Sequence, residues 1–339
     1  MGYIIGGKPP PGRYKMARVL IEGFESGDLK SWVTHGSCDI TAAKEGMSGN
    51  SCMRLYNSGS WALCDFPAAS SYYFAGKVQH ENSLYPNKIY FQNSGDEQVH
   101  IVFKEDYPLE VKRGNTSLAT GIKTIPPLQT HLIEIYVFIS DSSGRVIVKV
   151  NGITDIDFTG DTQNISGNNL INQIRFYVGN YYKTYWDDII IDDSNWIGET
   201  RIMGLSPTGA GATTQWTPST GSNWQNVDEK PADDADYNSV NEVDKIDTFT
   251  IEDMSSINGI VNNIKCIQVQ ARASKDGTPT PQNLNLVVRI GGSNYFSADK
   301  EVPTDFETLY NIWEKNPNSG VDWTESGINA MEIGYKSKA

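Results

Sequence analysis

The chain has 339 residues, enough for two hydrophobic cores, and a formal charge of −13 with Lys and Arg never gathered into a patch, which excludes the clustered cations that nucleic-acid phosphates require. Gly (31), Tyr (17) and Trp (8) are plentiful beside Asn, Ser and Thr, and long Leu/Ala/Glu/Lys-rich segments are missing, so strands and turns are favoured over helices. No run approaches the ~18 apolar residues of a membrane-spanning helix and the start lacks the pattern of a secretory signal, so a soluble protein made in a cytoplasm, with no membrane partner, is expected.

Residues 1–16 carry three consecutive prolines, Pro9 to Pro11, with glycines on both sides, and read as an extended arm. From Met16 short alternating or apolar runs recur, each closed by Gly, Asn or Ser: RVLIEGF, SCMRLYN, WALCDF, YYFAGKV, KIYFQN, VHIVFKE, LIEIYVFIS, RVIVKVNG, ITDIDF, QIRFYVG and DDIIIDD. Many strands at short spacing predict a sandwich or barrel. Asn151-Gly152 supplies the positive φ angles of a two-residue type I′ hairpin turn, and YNSGSW and QNSGDEQ read as further hairpin tips. A hairpin centred on Ser58 would bring Cys52 opposite Cys64, as a cross-strand disulfide or as two small buried thiols. With Cys38 and Cys266 they make four cysteines without any CxxC or adjacent His, so the usual zinc spacings are absent.

WDDIIIDDSNW sets four aspartates around three isoleucines. As a regular strand it would put Trp186, Asp188, Ile190 and Asp192 on one face and Asp187, Ile189, Ile191 and Asp193 on the other. The isoleucines would be buried and the aspartates would mark where the strand leaves the core at each end. Calcium is the alternative, with Asp192, Asp193 and a nearby carbonyl as hard oxygen ligands, but no Asp-x-Asp-x-Asp-Gly loop is present and the expectation is no metal or other cofactor.

After Trp196 the sequence turns rich in Gly, Thr, Ser and Pro, and residues 198–247, including the acidic PADDADYNSVNEVDKID, read largely as linker and loop. A second series of strands follows: DTFTIED, KCIQVQARAS, LNLVVRIGG, SNYFSA and EIGYKS. PTDFETLYNIWEKNP fits either a capped helix or an alternating strand, and its β-rich surroundings favour the strand.

The first 197 residues resemble the concanavalin A-like, laminin G-type jelly roll, on the opening FESGDLKSW, the central GRVIVKVNGITDIDF and the closing QIRFYVGNYYKTYWDDIIIDD. The remaining residues are similar to the C-terminal part of bacteriophage virion proteins, on TTQWTPSTGSNWQNVDEKPADDADY, VQARASKDGTPTPQNLNLVVRIGGSNY and WEKNPNSGVDWTESGINAMEIGY. Together they imply an all-β chain: an arm (1–16), a jelly roll (17–197) and a second β-sandwich (198–339). They also imply a structural part on the exterior of a phage particle, assembled in the host cytoplasm, homo-oligomeric, and held to capsid or tail subunits.

No catalytic residues are expected. The Glu-x-Asp-x-x-Glu string of jelly-roll glycosidases is missing, EVDKID (Glu242, Asp244, Asp247) ends in the wrong residue, and no nucleophile elbow or phosphate loop occurs. His35, His80, His100 and His131 are scattered and read as surface or hairpin positions. Glycan binding is the competing function: GNYYKTYW gathers Tyr181, Tyr182, Tyr185 and Trp186, whose ring faces can stack on sugars of a host surface. The same rings would equally pack on the sheet.

Overall fold

The computed structural model describes residues 18–81, 86–104, 106–179, 181–256, 263–277 and 281–339. The arm expected at 1–16 lies outside them. The described chain divides into two compact units, one ending at Ile202 and the other running from Met203 to Ala339. Both are built almost wholly of antiparallel strands, as the alternating runs predict.

In the first unit the strands are β1 (Arg18–Glu22), β2 (Val33–Ala42), β3 (Ser51–Ala69), β4 (Ser71–His80), β5 (Asn87–Asn93), β6 (Asp96–Lys104), β7 (Tyr107–Arg113), β8 (Thr116–Thr120), β9 (His131–Phe138), β10 (Gly144–Val150), β11 (Ile153–Gly160), β12 (Ile171–Tyr177) and β13 (Thr184–Asp192). They pair in the order β11-β10-β9-β4-β13-β3-β12-β5-β6-β7-β8, with β1 beside β13 and β2 beside β3. Strand β3 spans 19 residues and belongs to both halves of this ladder: Met53 to Leu55 pair with β13, and Trp61 to Ala69 pair with β12. The ladder thereby folds into a sandwich whose inward rings interlock, Phe176 of β12 lying 4.4 Å from Trp186 of β13 and Phe91 of β5 lying 6.3 Å from Phe74 of β4.

The passage of β3 between the halves corrects one expectation. YNSGSW is no hairpin tip: β2 runs along both halves of β3, pairing Ser37 with Tyr56 and His35 with Trp61, while residues 57–60 bulge out between them. Asn57 (φ 66°) and Gly59 (φ 91°) supply the left-handed turns that this bulge needs. Cys52 therefore sits opposite Thr41 of β2 and Cys64 opposite Ile174 of β12, and both thiols are free. Burial pushes the Cys52 thiol up to about 12 and raises Cys64 as well, so neither is a ready nucleophile. The other two turns form as expected, Asn151 (φ 50°) and Gly152 (φ 77°) joining β10 to β11, and Ser94 (φ 50°) and Gly95 (φ 93°) joining β5 to β6.

The second unit centres on a sheet ordered β14 (Pro207–Thr214), β17 (Ile246–Ile251), β23 (Glu332–Lys338), β19 (Asn283–Ile290) and β20 (Ser293–Phe296), with β21 (Lys300–Glu301) on β19. A ribbon of β18 (Ile267–Ala273) and β22 (Glu307–Trp313) lies against β19 and β23 and closes a core around Phe249, Leu286, Val288, Trp313 and Ile333. The helix-or-strand segment is thus strand β22. A short pair, β15 (Thr217–Pro218) with β16 (Asn238–Ser239), and one helical turn, α1 (Glu325–Asn329), complete the unit. Within the stretch read largely as linker and loop, Pro207–Thr214 form strand β14. In β14 the glycines of GAGATT let the backbone approach β17 closely: a Cβ on Gly211 would meet Thr248 Oγ1 at 2.6 Å. Asp247, last residue of EVDKID, is buried there and accepts from the backbone N–H of Trp216 at 2.9 Å and from Asn223 Nδ2 at 2.6 Å, a structural anchor for this stretch.

Candidate functional site

Strand β13 carries the aspartate-rich stretch, and its alternation is broken. Asp188 has φ 50°, and the register against β4 slips between Asp187 and Ile190. This β-bulge adds one residue, so Trp186, Ile189 and Ile191 all enter the same core instead of opposite faces. The two-face assignment read from the sequence is therefore wrong, and Asp187 and Asp188 do not mark an exit from the core: they are 0% and 2% exposed in mid-strand. Lys77 Nζ of β4 lies 3.0 Å from Asp188 Oδ2 and 2.8 Å from Glu199 Oε1. Ser48 donates its backbone N–H to Asp187 at 3.0 Å and its hydroxyl to Asp188 at 2.7 Å, and Ile202 N–H donates to Asp188 at 2.7 Å. With Gly198 N–H on Glu134 Oε1 at 3.0 Å, these bonds hold residues 198–202 to this sheet. The cluster is a structural clasp: all four carboxylate oxygens of Asp187 and Asp188 already have a partner within the chain.

Burial, with the Asp188 charge beside it, pushes Asp187 up to about 9, so the pair carries one negative charge against Lys77. Burial by itself lowers Lys77, but the Asp188 and Glu199 carboxylates outweigh it and the ammonium is held above its ordinary value. Asp187 is then protonated in the folded chain and ionised in the unfolded one between about 3.8 and about 9, and unfolding releases a proton. Its contribution is full below the unfolded value and is lost as pH rises, at about 1.4 kcal/mol per pH unit. Urea titrations between about pH 6 and 8 should show this slope in the native chain. Asp187→Asn should flatten it, and equal slopes in the two proteins would refute the protonated state.

At the end of β13 Asp192 Oδ1 accepts from Ser194 N–H at 2.8 Å, Ser194 Oγ at 2.9 Å and Asn195 N–H at 3.0 Å, closing a turn with the atom proposed as a calcium ligand. Among the described residues no three His, Cys, Asp or Glu side chains converge as a metal site, Asp192 and Asp193 included.

The aromatic quartet separates. Trp186 is 1% exposed in the sandwich core and Tyr185 is 3% exposed, its hydroxyl donating to Glu81 at 2.7 Å with Lys44 Nζ 4.2 Å from its ring centre. Neither ring offers a free face, because the bulge and the β4 pairing draw both into the sheet, which corrects their assignment as sugar-stacking residues. Tyr181 and Tyr182 remain exposed on the connection from β12 to β13.

A different face gathers chemistry. In the half of the sandwich formed by the end of β3 with β12, β5, β6 and β7, the residues between the core positions point outward. Cross-strand pairing aligns them in two rows. One runs Leu63, Arg175, Tyr90, His100, Lys112, and the neighbouring one His35, Trp61, Tyr177, Lys88, Val102, Glu110. His35 stacks on Trp61 at 5.5 Å and 17°, the Arg175 guanidinium lies 4.2 Å from the Tyr90 ring centre, and Lys88 Nζ lies 5.3 Å from Tyr90 and 5.9 Å from Tyr177. His100 is 3% exposed with Nδ1 2.7 Å from Glu97 Oε1. Burial raises Glu97, yet the His100 contact and the Lys88 charge hold it below the usual carboxylate value. Three buried polar atoms here have no hydrogen-bond partner among the described residues: Arg175 Nε, His100 Nε2 and Gln92 Oε1. Such atoms are costly unless something binds them. Sequence reading missed this face because its members are one or two residues on each of six strands, joined only by register. His80, His100 and His131 are also all buried, so of the surface or hairpin positions read for the histidines the surface alternative fails for these three.

No protein-family model matches the chain, and no curated protein matches it. Solved structures resemble the chain over about half its length. A sialidase is 11% identical over 55% of this chain and 19% of its own, with a TM-score of 0.43, so the chain spans under a fifth of that protein. The carbohydrate binding module CBM66 from Bacillus subtilis is 10% identical over 48% of this chain and 96% of its own, at 0.35. A carbohydrate esterase from the Shiga toxin-encoding bacteriophage phi24B is 13% identical over 52% of this chain and 100% of its own, at 0.36. These likenesses, among them a binding module and two enzymes, assign no activity and no ligand to this chain.

Proposed function

We propose that the first unit is a glycan-binding module and that the outward face around Trp61, Tyr177 and Arg175 is its binding site. The observation that carries this reading is the coincidence on one face of aromatic rings with three polar atoms that have no hydrogen-bond partner among the described residues, Arg175 Nε, His100 Nε2 and Gln92 Oε1. Sugars present apolar ring faces and a rim of hydroxyls, and need both kinds of partner. Binding is favoured over hydrolysis because the carboxylates near these rows are already committed, Glu97 to His100 at 2.7 Å and Glu110 to Lys112 at 3.2 Å. The resemblance of residues 198–339 to bacteriophage virion proteins supplies the setting. In it the second unit serves attachment to other virion subunits on the exterior of a particle, and repeated copies multiply weak contacts with host glycans. Tyr181 and Tyr182 would extend the contact from the β12–β13 connection.

The test is a glycan array probed with the full chain and with Trp61→Ala. Trp61 is half-buried on the outward face, so its loss should leave the melting temperature nearly unchanged and remove the array signal. Native protein silent across bacterial polysaccharides would refute the reading, and release of reducing ends from a bound polymer would replace binding by hydrolysis.

A further inference from the structure

The chain is acidic overall, with 41 Asp and Glu against 28 Lys and Arg. In such a background a cation normally has a carboxylate within reach, as Lys77, Lys112, Lys183 and Arg145 do. On the outward face Arg175 and Lys88 form no ion pair among the described residues. Both lie against the Tyr90 ring instead, and Lys104, two residues beyond Val102 on β6, lies 4.1 Å from the Tyr107 ring centre without an ion pair among the described residues. A ring offers a guanidinium or an ammonium less than a carboxylate does, so Arg175 is held in place without a direct ion pair and Lys88 has only the field of Glu97 beyond ion-pair distance.

We infer that this face takes an acidic polysaccharide, with the carboxylates of its uronic or related sugars against Arg175 and Lys88 and its sugar rings against the neighbouring aromatic side chains. The inference rests on the reading of the face as a glycan site and adds the ligand's charge. Arg175 and Tyr90 are direct cross-strand partners, and Lys88 is two residues from Tyr90 along β5, so both cations flank one ring. The rows run across the strands, which are spaced about 4.8 Å apart. That spacing is close to the length of one sugar residue, and a polymer laid along a row would present one sugar per strand. The same face also holds His100 Nε2 and Gln92 Oε1, which lack a hydrogen-bond partner among the described residues, on side chains only 3% and 2% exposed. Nucleic acid fits less well. Phosphate tracking needs a cation for nearly every contact, whereas here the cations without an ion pair among the described residues are few and Glu97 and Glu110 stand near them.

The experiment measures binding of the full chain to polygalacturonate and to the same polymer fully methyl-esterified, with alginate, hyaluronate, dextran and single-stranded polynucleotide in parallel. The expected result is at least tenfold tighter binding to one acidic polysaccharide than to the neutral polymers, weakened by added salt. Arg175→Gln and Lys88→Gln should each bring that ratio toward one without moving the melting temperature. Equal or tighter binding to the methyl ester or dextran would overturn the acidic-ligand inference and leave the glycan site standing. Polynucleotide bound as tightly as the best polysaccharide would overturn it in favour of a general polyanion surface. No binding to any polymer, together with a silent glycan array, would remove the underlying reading itself.

Discussion

Replacing Lys77 with methionine is expected to destabilise the first unit by about 3–5 kcal/mol, the largest loss we foresee from a single charged residue. The ammonium is 3% exposed and lies 3.0 Å from Asp188, itself 2% exposed, beside the equally buried Asp187. Without the cation, the bulge of β13 would hold a carboxylate in an apolar interior with only Ser48 and Ile202 as donors. The folded chain would then either keep the charge at high energy or protonate both acids. The measurement is the urea midpoint of Lys77→Met against the native chain. Lys77→Met with Asp188→Asn in the same chain should recover most of the loss, since the amide can still accept from Ile202 N–H and donate to Ser48 Oγ. A single variant within about 1 kcal/mol of native would show that Glu199 and solvent already compensate Asp188, and would sink the clasp.

The same bulge shows where sequence reading succeeded and where it stopped. Period-two runs such as RVIVKV and QIRFYV bury alternate residues of one strand, so β10 and β12 were legible, and the Asn151-Gly152 turn followed from φ angles that few residue types adopt. β2, β7 and β8 were missed. VTHGSCDITA is an edge-like strand with a glycine at its irregularity, and YPLEVKR has a proline as its second residue, so neither gives a clean alternation. β14 was read as linker because GAGATT has no large side chains; its strand forms through close backbone approach, which composition hides. In WDDIIIDD the residue types did announce something unusual, but period-two logic has no place for an inserted residue, so the faces after Asp187 came out reversed. The outward face of β12, β5 and β6 is illegible for another reason. Arg175, Tyr90 and His100 lie 85 and 10 positions apart in the chain, and only the pairing of three strands makes them neighbours.

Trp186→Ala should separate a structural aromatic from a binding one. The indole is 1% exposed and lies 4.4 Å from Phe176, 6.0 Å from Phe103 and 6.5 Å from Phe74, with rings from both halves of the sandwich against it. It is the first core residue N-terminal to the bulge, and Ile189 and Ile191 are the next. Truncation would leave a cavity lined by residues fixed in ladders on both sides, with little room to collapse, so the expected loss is about 3–5 kcal/mol. In a unit of this size that lowers the melting temperature by on the order of 10 °C. Tyr181→Ala, four residues after Tyr177 and 77% exposed, should change stability by less than about 0.5 kcal/mol. If the two variants lost stability equally, Trp186 would not be the inter-sheet wedge that the bulge places in the core. A native-like Trp186→Ala that lost only glycan binding would return this ring to the surface role its sequence neighbourhood suggests.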